Sequence, residues 1–295
     1  MAYTNYGTIK TDVLEQIGID DSDVEDVVEQ ALNDILQEIC QAYNFSWLYG
    51  DSSFITVAPY STGTVTATEG SATITGSGTT FTSSMVGRKI YLENATYTIA
   101  TYVDATGITL STNYAGGGGA GLTYKIYQDE YSLASDVEDV LSMRQENNPY
   151  KIQKRGIEFL DRYYPLRNAY GYPSLYSVTG YDSSGYMKVS VYPIPNQARN
   201  IYYRYKKRVT EMSSDSDEPV IPLRYRWVLA KGALYKAAKS LDQPDIGQDY
   251  EREYRQGVAQ IISADRKTDE RIIKGSGEDL EAGTFIGSSY PLIPY

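Results

Sequence analysis

The chain has 295 residues, a single cysteine and no histidine, which excludes an intrachain disulfide, a histidine-based catalytic triad and most zinc and iron sites. Its net charge of -11 argues against dedicated DNA reading, for which a basic stripe is expected, and no apolar run reaches the about 20 residues that span a bilayer. The charge is uneven: residues 1–143 hold 4 Lys+Arg against 19 Asp+Glu, whereas residues 144–295 hold 23 against 19, an asymmetry that favours head-to-tail contact between copies.

The length suits two compact units. Residues Met1–Tyr6 lack a basic-then-apolar signal pattern, so synthesis and assembly in a cytoplasm are expected. The first predicted helix runs from Thr8 to Ile17 and stops at Gly18. The second opens on a Ser22/Glu25 capping box. Its apolar stripe is Val24, Val27, Val28, Ala31, Leu32, Ile35, Leu36 and Ile39, with Cys40 beside it as a small core residue. Tyr43, Phe45, Trp47 and Leu48 close it as an aromatic cluster.

A strand at 53–57 leads into a Thr/Gly/Ser-rich region. Alternating stretches at 64–68, 72–75, 88–92, 97–102, 108–110 and 123–127 predict a small antiparallel barrel or sandwich. Gly116–Gly119 is expected to be a flexible loop, since it lacks the strand-to-helix context of a phosphate loop. A second capping box, Ser135/Glu138, with Val137, Val140 and Leu141 behind it predicts a helix. Another helix is expected from about Pro149 to Arg162, ended by Tyr163-Tyr164-Pro165. Strands at 175–179, 187–192 and 200–208 predict a three-stranded meander. An acidic loop, 213–219, leads to a helix from Pro222 to about Leu241, with Leu223, Trp227, Ala230, Leu234, Ala237, Ala238 and Leu241 on one face. Arg226 lies off that face. A last helix from Ile246 to about Arg266 carries Tyr250, Tyr254, Val258, Ile261 and Ile262, and the two form a hairpin against the second helix. The tail ends in the apolar Pro291-Leu292-Ile293-Pro294-Tyr295.

The expected fold class is α+β: a helical bundle with a short β meander and an inserted antiparallel β-barrel or sandwich. Residues 1–60 and 128–274 would form the helical core with its meander, 61–127 the all-β insert, and 275–295 an extended C-terminal arm.

Several short motifs occur in a telling order. They are the acidic helix ending in Trp47-Leu48, Tyr131-x-Leu133-x-x-Asp136-Val137, Tyr192-Pro193-Ile194-Pro195, Arg204-Tyr205-Lys206-Lys207, and Asp217-Glu218-Pro219-Val220-Ile221-Pro222 before the closing helix hairpin. In these the chain resembles the head-to-tail adaptor (connector) proteins of tailed bacteriophages, over roughly 1–60 and 128–270. The resemblance implies a non-enzymatic virion protein at the head–tail junction. It would form a ring, usually of twelve copies, between the portal and a tail or nozzle protein. Genome DNA would pass through the lumen without sequence readout, and acidic residues of the N-terminal half would line it and repel phosphate. The C-terminal arm would dock on the portal. No cofactor, metal or membrane is expected. The candidate interface residues are Trp47, Tyr192, Pro193, Tyr203, Tyr205, Asp215, Asp217, Pro291, Leu292, Ile293 and Tyr295.

Other readings compete. The 30 tyrosines against 5 phenylalanines suit wet protein–protein contacts, and equally a tyrosine-rich β surface. A tail or baseplate protein whose β module binds a host-surface glycan is the alternative function. A carboxylate enzyme lacks any marked acid pair. Asp215, Asp217 and Glu218 lack the glycine and distal Glu of a calcium loop.

Overall fold

The structure, a computed structural model, describes residues 3–18, 22–147, 151–242 and 244–275. In chain order the elements begin with α1 (Tyr6–Ile17), α2 (Ser22–Ala42) and β1 (Tyr49–Ile55). Seven strands follow: β2 (Thr64–Ala67), β3 (Thr73–Ser77), β4 (Lys89–Leu92), β5 (Ala95–Asp104), β6 (Gly107–Leu110), β7 (Gly119–Leu122) and β8 (Tyr124–Tyr127). Next come β9 (Glu130–Ser132), β10 (Val137–Gln145), β11 (Lys151–Lys154), α3 (Ile157–Tyr163), β12 (Tyr170–Gly171) and β13 (Leu175–Tyr181). The chain closes with β14 (Met187–Tyr192), β15 (Ile194–Pro195), β16 (Asn200–Lys207), α4 (Arg226–Ser240) and α5 (Pro244–Gly275).

The described residues thus hold sixteen strands and five α-helices. The expectation of a helical bundle with a small β insert is overturned: the chain is mostly β, built on two curled seven-stranded sheets. Two compact units divide it, one of residues 1–49 with 208–295 and one of residues 50–207.

The first unit holds the helices α1, α2, α4 and α5. Asn5 caps α1: its side chain accepts from the Thr8 N–H at 3.0 Å, and the Thr8 hydroxyl accepts from the Asn5 N–H at 3.2 Å. Gly18 ends it in the left-handed region, φ 71°, where a Cβ would be strained. The α2 stripe expected from periodicity is buried at Val24, Val28, Ala31, Leu32, Ile35, Leu36, Ile39 and Cys40, with Val27 half-buried. Each large apolar side chain fully buried there contributes roughly 1.5–3 kcal/mol. Helix α4 packs against α1, α2 and α5. It is therefore buried on most of its circumference, at Val228, Leu229, Ala230, Ala233, Leu234, Ala237 and Ala238. Gly232 makes the approach close: a Cβ there would sit 2.5 Å from Ile35 Cγ2 and 2.8 Å from the Tyr254 ring. Two expectations for this helix fail. Leu223 precedes it in a 3-10 turn and is 57% exposed. Arg226, expected off the apolar face, is buried.

In the second unit, one sheet runs β7-β2-β3-β6-β5-β4-β8 around a core that includes Ile74, Phe81, Ile90, Ile99, Ile108 and Ile126. All six alternating stretches read from this region are strands; β7 is an addition, where a flexible loop was expected to end. The other sheet runs β1-β16-β10-β11-β13-β14-β9, with Val137, Val140, Met143, Tyr176, Val189, Ile201 and Tyr203 in its core.

Three local expectations are corrected here. The supposed helix after Ser135 is β10. Two β-bulges, between Val137 and Asp139 and between Val140 and Ser142, reset the side-chain phase. Its buried apolar residues, Val137, Val140 and Met143, consequently fall three apart, a spacing that imitates a helix. The helix expected from about Pro149 to Arg162 starts outside the described residues, and the rest divides into β11 and α3. Gly156, at φ -65° and ψ 150°, is the extended residue between them. The meander also fails: β14 pairs with β13 and β9, whereas β16 pairs with β10. The segment between them is diverted, because Ile194 and Pro195 form β15 and pair with β12.

Candidate assembly surfaces

The acidic loop 213–219 is a built structure. The Asp217 carboxylate accepts from the N–H groups of Ser213 and Ser214 at 2.8 and 2.9 Å, and these bonds hold its pKa below the ordinary value. Its carbonyl accepts from the Tyr6 N–H at 2.8 Å, and that of Asp215 from Gly7 at 3.0 Å, so the loop caps free donors at the start of α1. Lys10 gathers Glu25, Glu29 and the Asp215 side chain at 2.9, 3.0 and 3.2 Å. From the other side the Arg226 guanidinium donates to the carbonyls of Ile221 (3.0 Å), Pro219 (3.1 Å) and Thr4, and pairs with Glu218 at 3.2 Å. One buried cation thereby ties the loop to the N-terminal segment.

Trp47 sits in a 3-10 turn, Ser46–Leu48, anchored by Asp265, which accepts from the Ser46 N–H and hydroxyl at 3.0 and 2.7 Å. Its ring stacks on Phe45 at 4.2 Å and lies 6.1 Å from Tyr225. The Trp47 indole N–H is buried with no acceptor among the described residues. Tyr203 and Tyr205 are buried on the inner face of β16. The Tyr203 hydroxyl accepts from the Ala134 N–H at 2.9 Å, and Tyr205 donates to the Asp136 carboxylate at 2.9 Å. Burial first, and Asp136 second, push the Tyr205 phenol up to about 12. A cis peptide joins Tyr192 to Pro193; Tyr192 is buried and Pro193 half-buried. Of the other candidates, Pro291, Leu292, Ile293 and Tyr295, with the whole arm from 276, lie outside the described residues.

Two outward features were not singled out from the sequence. The first is a row of aromatic contacts on α3 and beyond. Phe159 meets Tyr163 at 4.6 Å and Tyr164 at 6.5 Å, and Tyr164 meets Tyr192 at 4.4 Å. Tyr163 is 58% exposed and Leu166 77%. In the sequence Tyr163-Tyr164-Pro165 signals only a helix stop; Leu166 directly follows it. The second is the outer face of β1, β16, β10 and β11, with an open cleft of about 690 Å³ bordered by Asp51, Ser142, Arg144, Lys151, Tyr202 and Arg204. Arg204 pairs with Asp51 at 3.1 Å, and the Arg144 guanidinium lies 4.6 Å over the Tyr202 ring.

Among the described residues no group of three or more His, Cys, Asp or Glu side chains is placed to hold a metal ion, and no helix is long and apolar enough to cross a membrane. Exposed aromatic and basic side chains of this kind are suited to contact surfaces. The family model described as SU10 adaptor protein matches residues 4–273, and the chain belongs to that family. It is a structural adaptor of a tailed bacteriophage and a component of the virion, with portal and tail proteins as the partners that membership implies. No curated protein matches the chain.

Proposed function

We propose that copies of this chain close into a homo-oligomeric ring, a dodecamer by the resemblance, between portal and tail. The match to the adaptor family across residues 4–273 carries this reading, because it spans both units. Charge supports it: the acidic excess of the N-terminal half complements the basic residues of the C-terminal half in a head-to-tail arrangement. In this proposal the ring provides the platform for tail attachment. The genome passes through a lumen lined by acidic residues, which repel phosphate and avoid trapping DNA. Residues 275–295 act as the arm that engages the portal, and 61–127 form a module inserted into the adaptor core.

Light scattering and electron microscopy of the full chain, alone and with portal protein, test the ring. A closed ring at the portal is expected; a chain that stays monomeric with portal present would sink the proposal. Removing 275–295 is expected to abolish portal binding, and retained binding would cancel the arm's role. Strong low-salt DNA affinity with a steep salt slope would contradict an acidic lumen.

A further inference from the structure

The β4–β5 hairpin turns on Glu93 and Asn94, both left-handed at φ 45° and 68°, with Leu92 paired to Ala95. Turns of this kind favour Asn-Gly, and a glutamate at positive φ is strained. Side-chain bonds hold the strain in place. The Glu93 carboxylate accepts from the Tyr114 hydroxyl, and the Asn94 side-chain oxygen from the Tyr91 hydroxyl at 3.0 Å. Strain of this kind occurs at ligand sites as well as in tight turns. The turn borders a cleft of about 420 Å³, also lined by Lys125, Asn168 and Tyr170. That volume lies in the roughly 300–1,000 Å³ range of small-ligand sites. Lys125 Nζ sits 4.1 Å over the Tyr170 ring, and Tyr127 meets that ring edge-on at 6.0 Å.

We propose that this cleft binds a short saccharide of about two sugar units. Glu93 and Lys125 balance in charge, so the cleft selects neither anions nor cations. Asn94, Asn168 and Glu93 supply donors and acceptors suited to hydroxyl groups. Tyr91 supplies flat apolar surface for the C–H face of a pyranose, and Tyr170 holds the Lys125 ammonium beside it as a hydroxyl-binding donor. A purely apolar ligand is disfavoured, because it would strip water from these polar groups without replacing their hydrogen bonds.

The test uses the full chain and three probes, a lipopolysaccharide core oligosaccharide, chitotriose and maltotriose, followed by saturation-transfer NMR and calorimetry. The variants are Tyr170→Ala and Asn94→Gly. The second suits the positive φ, so it keeps the turn while removing the amide. At least one probe is expected to bind the parent chain at millimolar concentration or below. Each variant is expected to weaken it about tenfold or more, with no fall in the melting temperature of Asn94→Gly. Absence of binding for all three probes, or binding unchanged in Asn94→Gly, would overturn the proposal.

Discussion

Asn33 on α2 grips the backbone of Met212 with both ends of its amide: Nδ2 donates to the Met212 carbonyl at 2.9 Å, and Oδ1 accepts the Met212 N–H at 2.8 Å. The side chain acts as one rung of a strand pair and fixes the segment entering the acidic loop. Replacing it with alanine leaves both backbone groups without their partner, at a cost of about 1–3 kcal/mol. Asn33→Asp should cost more, since it places a carboxylate against a carbonyl. Equilibrium urea unfolding measures both, and an unchanged midpoint would show that the pair contributes nothing.

Arg226 is expected to be the most sensitive cation of the helical unit. Arg226→Met removes the donors to Thr4, Pro219 and Ile221 and should destabilise by about 1–3 kcal/mol. Arg226→Lys should recover little, because one ammonium cannot reproduce the planar fork. Thermal melts combined with limited proteolysis check this, with new cleavage expected in loop 213–219.

Lys89 and the buried Asp129, 2.8 Å apart, are coupled in the β unit. Lys89→Met leaves a buried carboxylate without its cation, a change of about 3–5 kcal/mol. The double variant Lys89→Met/Asp129→Leu should regain much of the loss, since no charge stays stranded. A double-mutant cycle by denaturant unfolding gives the coupling; strictly additive losses would rule it out.

Alkaline pH should unfold the chain through its tyrosines. Burial raises the phenols of Tyr131, Tyr176 and Tyr205 from 10.0 to about 12. A group raised in the folded state stabilises fully below its unfolded value, and that contribution drains away as pH climbs from 10 towards 12. Phenolate absorbance should therefore lag a denatured control over this window and then rise cooperatively with loss of circular dichroism. Titration that overlays the denatured control would contradict the burial of these rings.

Tyr163→Ser and Leu166→Ser should leave stability within about 0.5 kcal/mol, because both side chains are exposed. Assembly with itself or with the portal should weaken. Rings of normal yield from the double variant would remove this surface from the interface.

Much of this was readable from one sequence. The α2 stripe declared itself because a helix with one buried face repeats at 3.6 residues, and Val24 through Ile39 keep that rhythm. The strands of the Thr-rich region did so by alternation, and the order of short motifs pointed to the adaptor family that the match over residues 4–273 bears out. The fold class was not readable. Bulges in β10 spaced Val137, Val140 and Met143 by three, so a bent strand wrote a helical pattern. The neighbours of β16 are β1 and β10, and no local signal states which distant strand completes a sheet. Arg226 likewise reads from the sequence as a residue off the apolar face of its helix, and nothing local marks Asn33. Only the tertiary structure showed the Met212 backbone brought to Asn33, and the Thr4 carbonyl to Arg226, from elsewhere in the chain. Local periodicity decides which residues are buried together within one element; the partners of a polar group, and the neighbours of a strand, are decided by chain segments far away in sequence.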